Sequence, residues 1–117
     1  MKRVKIGITG VGKLGNYHCH VITQIAEAEL VGIYDINPQR CEEIANKYKC
    51  IAFKKYSDLL DNVDILGIVV PTAQHAQVAR QAIAAGKHVF IEKPITATIA
   101  EAEELIALAQ QAGIKMQ

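Results

Sequence analysis

The sequence predicts an α/β fold, a doubly wound parallel sheet, and three observations support this prediction. Short apolar segments alternate with segments of helical periodicity along the 117 residues, an order that favours a parallel sheet with helices on both faces. The motif Gly-x-Gly-x-x-Gly stands at positions 10–15, between the first apolar segment and the first helical one. Asp35 ends the second apolar segment, twenty positions beyond Gly15. Glycines and acid at this spacing are typical of the Rossmann dinucleotide-binding fold.

Each glycine of the motif has its own steric role in such a turn. Gly10 makes the tight turn, Gly12 lets a pyrophosphate approach the backbone, and Gly15 lets the helix pack close to the strand. The N–H groups of Gly12, Lys13 and Leu14 would then face the phosphates at the start of the first helix. A tight turn without a ligand is the alternative for the motif alone, and the acid on the second strand favours nucleotide binding.

The first half of the chain is predicted to contain two strands and two helices. The strands cover 3–9 and 30–35. The first helix covers 13–27, with apolar residues at helical spacing as its buried stripe: Leu14, Val21, Ile22 and Ile25. Asn37 and Pro38, a capping residue and a proline at the first helical position, open the second helix, which extends to about Tyr48.

The second half continues the alternation. In chain order, the predicted elements are strand 50–53, helical turn 57–60, strand 64–70, helix 73–85, strand 88–91, helix 98–113 and the opening of a sixth strand at 114–117. The strand at 64–70 is nearly all apolar, as expected of a strand covered on both faces. Gly86 and Gly113 are placed to end the two long helices. Thr98 and Glu101 form a capping box at the start of the last helix.

Right-handed crossovers and the glycine motif on the first strand favour the strand order 3-2-1-4-5-6, with the sixth strand truncated. Ligands then bind beyond the carboxyl ends of the strands. Asp35, Thr72 and Lys93 all follow strand ends, so one crevice can collect them. By size, residues 1–117 form one domain, and we expect a longer protein to carry a further domain that grips the substrate.

Composition limits the classes of function. The net charge is +1, with acids and bases interspersed, which argues against a nucleic-acid-binding surface. No apolar run approaches the roughly 20 residues that span a bilayer, and the basic start lacks the long hydrophobic region of a signal peptide. The three cysteines lack C-x-x-C spacing and are interpreted as reduced thiols. We therefore expect a cytoplasmic protein without a nucleic-acid or membrane partner.

The adjacent residues His18, Cys19 and His20 do not predict a metal site. On a helix, neighbouring side chains point roughly 100° apart and cannot close on one ion. No metal is expected elsewhere in the chain.

The turn Glu92-Lys93-Pro94 follows the fifth predicted strand. Hydride transfer between an alcohol and a nicotinamide needs a group that takes or gives the hydroxyl proton, and a lysine can serve as that group. Pro94 disfavours helix for Lys93 and stiffens the turn. A solvated surface charge is the alternative for Lys93.

Three further polar residues are candidates with open alternatives. After Pro71, Thr72 either caps the following helix or bonds to the cofactor. His75 either contacts the cofactor or packs in the first turn of that helix, and the sequence does not decide between them. Arg40, five residues past Asp35, is either a surface residue or lies beside the adenine.

Together these motifs resemble the glucose–fructose oxidoreductase / inositol dehydrogenase / MocA (Gfo/Idh/MocA) family. The resemblance covers the whole chain but only the amino-terminal half of a family member, and Glu92-Lys93-Pro94 is its most specific part. It implies an NAD(P)-dependent oxidoreductase in which Lys93 is the catalytic proton carrier and also lies near the nicotinamide. The predicted cofactor-binding residues are Gly10, Gly12, Lys13, Leu14, Gly15, Asp35, Arg40, Pro71, Thr72, His75, Glu92 and Lys93.

The resemblance also implies a second, sheet-rich substrate domain that supplies a partner Asp and His. It further implies a sugar, nucleotide sugar or cyclic polyol as substrate, and assembly as a homo-oligomer. We expect little activity from residues 1–117 alone. Asp35 favours NAD over NADP, because a 2′-phosphate would meet a carboxylate, and Arg40 leaves use of both open. The alternative function is a dinucleotide-binding sensor without turnover, and Lys93 favours the enzyme. A methyltransferase is disfavoured by both turns.

Overall fold

A computed structural model describes residues 2–117 and contains the predicted parallel sheet. Its strands are β1 Val4–Thr9, β2 Ala28–Tyr34, β3 Ile51–Ala52, β4 Ile65–Ile68 and β5 His88–Ile91. All strand pairs are parallel, and the spatial order is β3-β2-β1-β4-β5. The predicted strand order is thus confirmed over these five strands. Met116 forms a parallel bridge with Val89 of β5, where a sixth strand would begin.

Five α-helices connect the strands, and local sequence signals set several of their ends. They are α1 Lys13–Thr23, α2 Pro38–Tyr48, α3 Tyr56–Asp61, α4 His75–Ala84 and α5 Ile99–Ala112, with a short 3₁₀ helix, Thr72–Gln74, before α4. The Asn37 side chain caps α2 by accepting from the Arg40 amide at 3.1 Å. Thr98 caps α5 by accepting from the Glu101 amide at 3.2 Å. Gly113 ends α5 with φ 69°.

The first helix differs from its prediction in length and in its buried face. It ends at Thr23, and its buried residues are Gly15, Cys19 and Ile22. Three of the residues predicted as its buried stripe are instead exposed: Leu14, Val21 and Ile25. The reason is Gly15, which packs directly on the turn before the helix, so that the residues four and seven positions later face the sheet with it. Most other element ends differ from the predictions by one or two residues.

The sheet is covered on both faces by separate apolar clusters. One cluster lies under α1 and α2 and includes Ile8, Cys19, Ile33 and Cys41. The other lies under α3, α4 and α5 and includes Leu59, Leu66, Ile68 and Leu105. With both faces filled, space for a ligand is left at the ends of the strands. Within residues 2–117, no helix is long and apolar enough to cross a membrane.

Candidate functional site

The carboxyl ends of β1, β2, β4 and β5 form one continuous row. The last residues of the four strands are in register with one another. In the order β2, β1, β4 and β5 they are Tyr34, Thr9, Ile68 and Ile91. The row extends one residue beyond the strands through backbone hydrogen bonds from the amides of Gly10, Val69 and Glu92, at 2.9, 2.9 and 3.0 Å. The loops that follow these strands therefore leave the sheet at one level, as the predicted topology requires.

A cleft of about 640 Å³ opens at this edge. Its walls are the glycine turn after β1, the end of β2, the segment after β4 and the outer face of α4. Most of the predicted cofactor-binding residues line it: Gly10, Gly12, Lys13, Leu14, Gly15, Asp35, Arg40 and Pro71.

The three glycines of the turn differ in what the fold itself requires. Gly10 has φ 91°, and a Cβ there would lie 2.6 Å from the carbonyl oxygen of Val69. A Cβ on Gly15 would overlap the carbonyl oxygen of Gly10. Gly12 has φ −68°, and a Cβ there would meet no atom of the chain within 4 Å. The fold thus requires glycine at positions 10 and 15, whereas at position 12 a missing side chain only leaves space in the cleft.

The start of α1 faces this space without a side-chain cap. Gly12 is the N-cap residue, no side chain bonds to the first turn, and the first turn contains no acidic residue. The first amides of an α-helix have no partner inside the helix, and the helix dipole makes this end attractive to anions. The arrangement can hold a phosphate group through Gly12, Lys13 and Leu14.

Asp35 is held between the glycine turn and the second helix. Its Oδ2 accepts a hydrogen bond from the Val11 amide and its Oδ1 accepts one from the Asn37 amide, both at 2.8 Å. The side chain is half-buried and lines the cleft. Because each carboxylate oxygen accepts more than one hydrogen bond, Asp35 can still accept from the hydroxyls of a ribose. Arg40 is exposed and lines the same end of the cleft.

The outer wall contains residues that the sequence analysis did not assign to the site. It is formed by Tyr34, Ile36, Tyr56, Gln74, Gln77, Val78 and Gln81. The Tyr56 hydroxyl donates to the Val78 carbonyl at 2.8 Å, and burial raises the pKa of Tyr56. The three glutamines are spaced i, i+3 and i+7 along the chain. That spacing puts polar side chains on one helix face. It was the sequence signal that could have indicated this wall.

Two of the predicted cofactor ligands after β4 lie outside the cleft. Thr72 begins the 3₁₀ helix and does not line the cleft. His75 is only 2% exposed, and its ring nitrogens lie 2.8 Å from the Val70 carbonyl oxygen and 3.0 Å from that of Ile95. Of the two alternatives for His75, the structure favours packing over cofactor contact, because both ring nitrogens already face backbone carbonyls.

Glu92 and Lys93 lie at the same edge of the sheet but beside the cleft. Glu92 Oε2 is 2.9 Å from Nε2 of His18 on α1, so its carboxylate faces a histidine of the chain. Lys93 is exposed and precedes a cis peptide bond to Pro94. In strand order, β5 is two strands from β1, roughly 10 Å away across the sheet. The proposed roles of both residues stay predictions.

Metal-binding chemistry has no visible site in the part of the chain that the structure describes. There, no three His, Cys, Asp or Glu side chains are grouped so as to hold a metal ion. The three cysteines are free.

Comparison with known proteins gives a family match and close relatives. Residues 4–117 match the Gfo/Idh/MocA model, described as an oxidoreductase family with an NAD-binding Rossmann fold. A UDP-N-acetylglucosamine 3-dehydrogenase of Acidithiobacillus ferrooxidans is 40% identical over 111 residues, covering 95% of this chain and 35% of the relative. A glucose-6-phosphate 3-dehydrogenase of Bacillus subtilis is 33% identical over 111 residues, covering 95% of this chain and 32% of the relative.

Solved structures agree with these matches. The Acidithiobacillus enzyme superposes with a TM-score of 0.93 at 38% identity, over 99% of this chain and 38% of the enzyme. GenD2 from gentamicin A biosynthesis, solved in complex with NAD, superposes with a TM-score of 0.95 at 26% identity, over 99% of this chain and 34% of GenD2. The chain thus spans about a third of the length of the curated relatives it matches.

Proposed function

The chain belongs to the Gfo/Idh/MocA oxidoreductase family, as its NAD-binding Rossmann domain, and on this premise we propose that the cleft described above is the NAD site of a dehydrogenase. The chain supplies the cofactor-binding half of that enzyme. The part of the enzyme that corresponds to the unmatched two thirds of the relatives supplies the substrate-binding half.

The observation that carries the proposal is the open space at Gly12. A Cβ at this position would meet no atom of the chain within 4 Å, so the fold gives no steric reason for glycine there. A pyrophosphate resting against the backbone at the start of α1 gives that reason, because a side chain would occupy its place.

The order of groups along the sheet edge supports one orientation of the cofactor. Asp35 follows β2, the glycine turn follows β1, Val69 and Val70 follow β4, and Lys93 follows β5. From β2 to β5 this is three strand spacings, roughly 14 Å. The adenosine ribose then lies at Asp35, the pyrophosphate at Gly12 and the nicotinamide beyond β4, towards Lys93.

Lys93 is the proposed proton carrier. NAD, when bound, supplies the acceptor for the hydride that leaves the alcohol carbon. The hydroxyl proton of the same alcohol goes to the unprotonated amine of Lys93, so that the alcohol becomes a carbonyl. In the reverse direction Lys93 returns that proton. Glu92 is proposed to contribute to the nicotinamide side of the site.

The substrate class is proposed from the relatives. Those reported above are named as dehydrogenases of a nucleotide sugar and of a sugar phosphate, so a sugar of this kind or a cyclic polyol is the proposed substrate. A partner Asp and His in the substrate-binding half, and assembly as a homo-oligomer, belong to the same proposal. Three free thiols favour a reducing compartment, the cytoplasm.

Replacing Gly12 by valine tests the phosphate site. We expect at least 100-fold weaker NAD binding by titration calorimetry, because the branched side chain fills the space proposed for the pyrophosphate. The free energy of unfolding should change by no more than about 1 kcal/mol, the size of an N-cap effect. Ala84→Val, at an exposed position on α4 away from the cleft, is the matched control and should bind NAD like the parent chain. Unchanged affinity in Gly12→Val would remove the glycine turn from the proposed site.

A further inference from the structure

We propose that His18 and His75 are positioning residues for Lys93, holding the turn of residues 92–95 from opposite faces of the sheet. The inference rests on the proposed role of Lys93 as proton carrier. It concerns two histidines that lie outside the cofactor cleft.

His18 holds the first residue of the turn. It lies on α1, and its Nε2 is 2.9 Å from Glu92 Oε2, with 25% and 27% of the two side chains exposed. The imidazole also packs against Phe90, with ring centroids 5.6 Å apart. An N–H at Nε2 donates to the carboxylate in this arrangement. Since the Glu92 amide donates to the Ile68 carbonyl at 3.0 Å, both the backbone and the side chain of Glu92 are fixed.

His75 holds the last residue of the turn. It is the first residue of α4, on the face of the sheet opposite α1. Its Nδ1 lies 3.0 Å from the carbonyl oxygen of Ile95, and its Nε2 lies 2.8 Å from that of Val70. A neutral imidazole donates to one of these carbonyls, and the protonated ring donates to both. Since Val70 lines the cleft, the buried ring joins the cleft wall to the far end of the turn.

Between these two anchors the turn itself is open to solvent. Lys93 and Pro94 are exposed, and within residues 2–117 the Lys93 ammonium has no hydrogen-bond or ion-pair partner. Within this turn, the restraints that reach the Lys93 backbone from the two histidines act through Glu92 and Ile95. A group that transfers a proton must be held close to its reacting position, and the two histidines supply that restraint without touching the reacting atoms.

Backbone order in the ligand-free chain separates positioning from general stabilisation. A partly exposed contact between two side chains adds little to global stability, so loss of the His18 contact should loosen the turn without lowering the unfolding midpoint. In His18→Leu we expect the ¹⁵N order parameter of the Lys93 amide to fall from about 0.85 to below about 0.6. His18→Gln keeps an N–H donor at similar reach and should restore the order. His20→Leu, at an exposed position on the same helix, is the matched control and should leave the order unchanged.

His75→Gln tests the second anchor. A glutamine amide donor replaces at most one of the two imidazole contacts in this place, so the Ile95 amide should lose order while the circular dichroism of the chain stays the same. An order parameter at Lys93 that is equal in His18→Leu and the parent chain would overturn the inference, whatever happens to NAD binding. Titration calorimetry with NAD, on the parent chain and the same variants, keeps the two proposals apart. If the parent chain fails to bind NAD, the proposed function is refuted. The order measurements still decide whether the histidines hold the turn.

Discussion

Asp35 combines a structural role with a proposed binding role in one side chain. Its two oxygens accept from the amides of Val11 and Asn37, which joins the glycine turn to the start of α2. The spacing from the glycines predicted an acid at this end of the cleft. The contact with Val11 could not be predicted, because a backbone amide 24 positions away carries no sequence signal.

The proposed role of Asp35 predicts a preference for NAD over NADP that depends on its charge. In Asp35→Asn, we expect the ratio of NAD to NADP affinity to fall at least tenfold, mainly through tighter NADP binding. At the proposed site the carboxylate would face the 2′-phosphate of NADP, and like charges at contact distance repel by several kcal/mol even at intermediate dielectric. Calorimetry with both cofactors measures the ratio. Arg40→Ala in the Asp35→Asn background should weaken NADP and leave NAD unchanged. A parent chain that prefers NADP would contradict the role given to Asp35.

His75 illustrates what a sequence cannot decide. A histidine at the start of the helix that follows β4 can either contact the cofactor or pack against the chain. Its partners are the backbone carbonyls of Val70 and Ile95, and such groups are the same in every sequence. Only the path of the chain after β5 brings Ile95 to the ring.

At the scale of single elements, the starts of α2 and α5 were predictable, whereas the end of α1 and its buried face were not. The caps at Asn37 and Thr98 are local signals, and α2 and α5 begin at the residues that follow them. The face of α1 depends on Gly15, which has no side chain to enter a hydrophobic pattern, and on its contact with Gly10. A search for large apolar residues therefore selected the wrong face.

Alanine substitutions at two glycines of one turn should have opposite consequences. Gly15→Ala places a methyl group against the Gly10 carbonyl and should destabilise the chain by about 2–3 kcal/mol, as overpacking does. Gly12→Ala meets open space and should change stability by less than about 1 kcal/mol. Urea unfolding of both variants at one pH measures the difference. Equal losses would show that the helix moves easily and that Gly15 does not set its depth.

At the scale of the whole molecule, a parallel sheet makes distant residues neighbours in a predictable way. All carboxyl ends lie at one edge, and the alternation of elements therefore predicts that Asp35, Thr72 and Lys93 share one crevice with the glycine turn. In the structure the glycine turn and Asp35 line the cleft, whereas Thr72 and Lys93 do not. The wall supplied by α4 was missed, although Gln74, Gln77 and Gln81 mark one polar face of the predicted helix. Lys93 lies at the predicted edge and beside the cleft, since β5 is two strands from the glycine turn.

The three thiols belong to the layer between the sheet and α1 and α2. Cys19 and Cys41 are buried in that cluster, and Cys50 packs against it. Burial raises the pKa of Cys19 from its ordinary value of 9.0 to about 12 and that of Cys50 to about 11. It also raises the pKa of Cys41. The folded chain therefore holds these protons more tightly than the unfolded chain does.

Alkaline pH should accordingly lower the free energy of unfolding, because the buried thiols ionise less readily in the folded chain. Below pH 9 the thiols are protonated in both states and add no pH dependence. Above pH 9 the unfolded thiols ionise first, so stability falls until the folded pKa of about 12 for Cys19 is reached. Each fully shifted thiol contributes a slope of up to about 1.4 kcal/mol per pH unit. Urea unfolding between pH 8 and 10 should show a smaller slope for Cys19→Ala than for the parent chain, although the variant is less stable throughout because it leaves a cavity. Equal slopes would mean that the Cys19 thiol ionises as readily in the folded chain as in the unfolded one, and that solvent reaches the layer under α1.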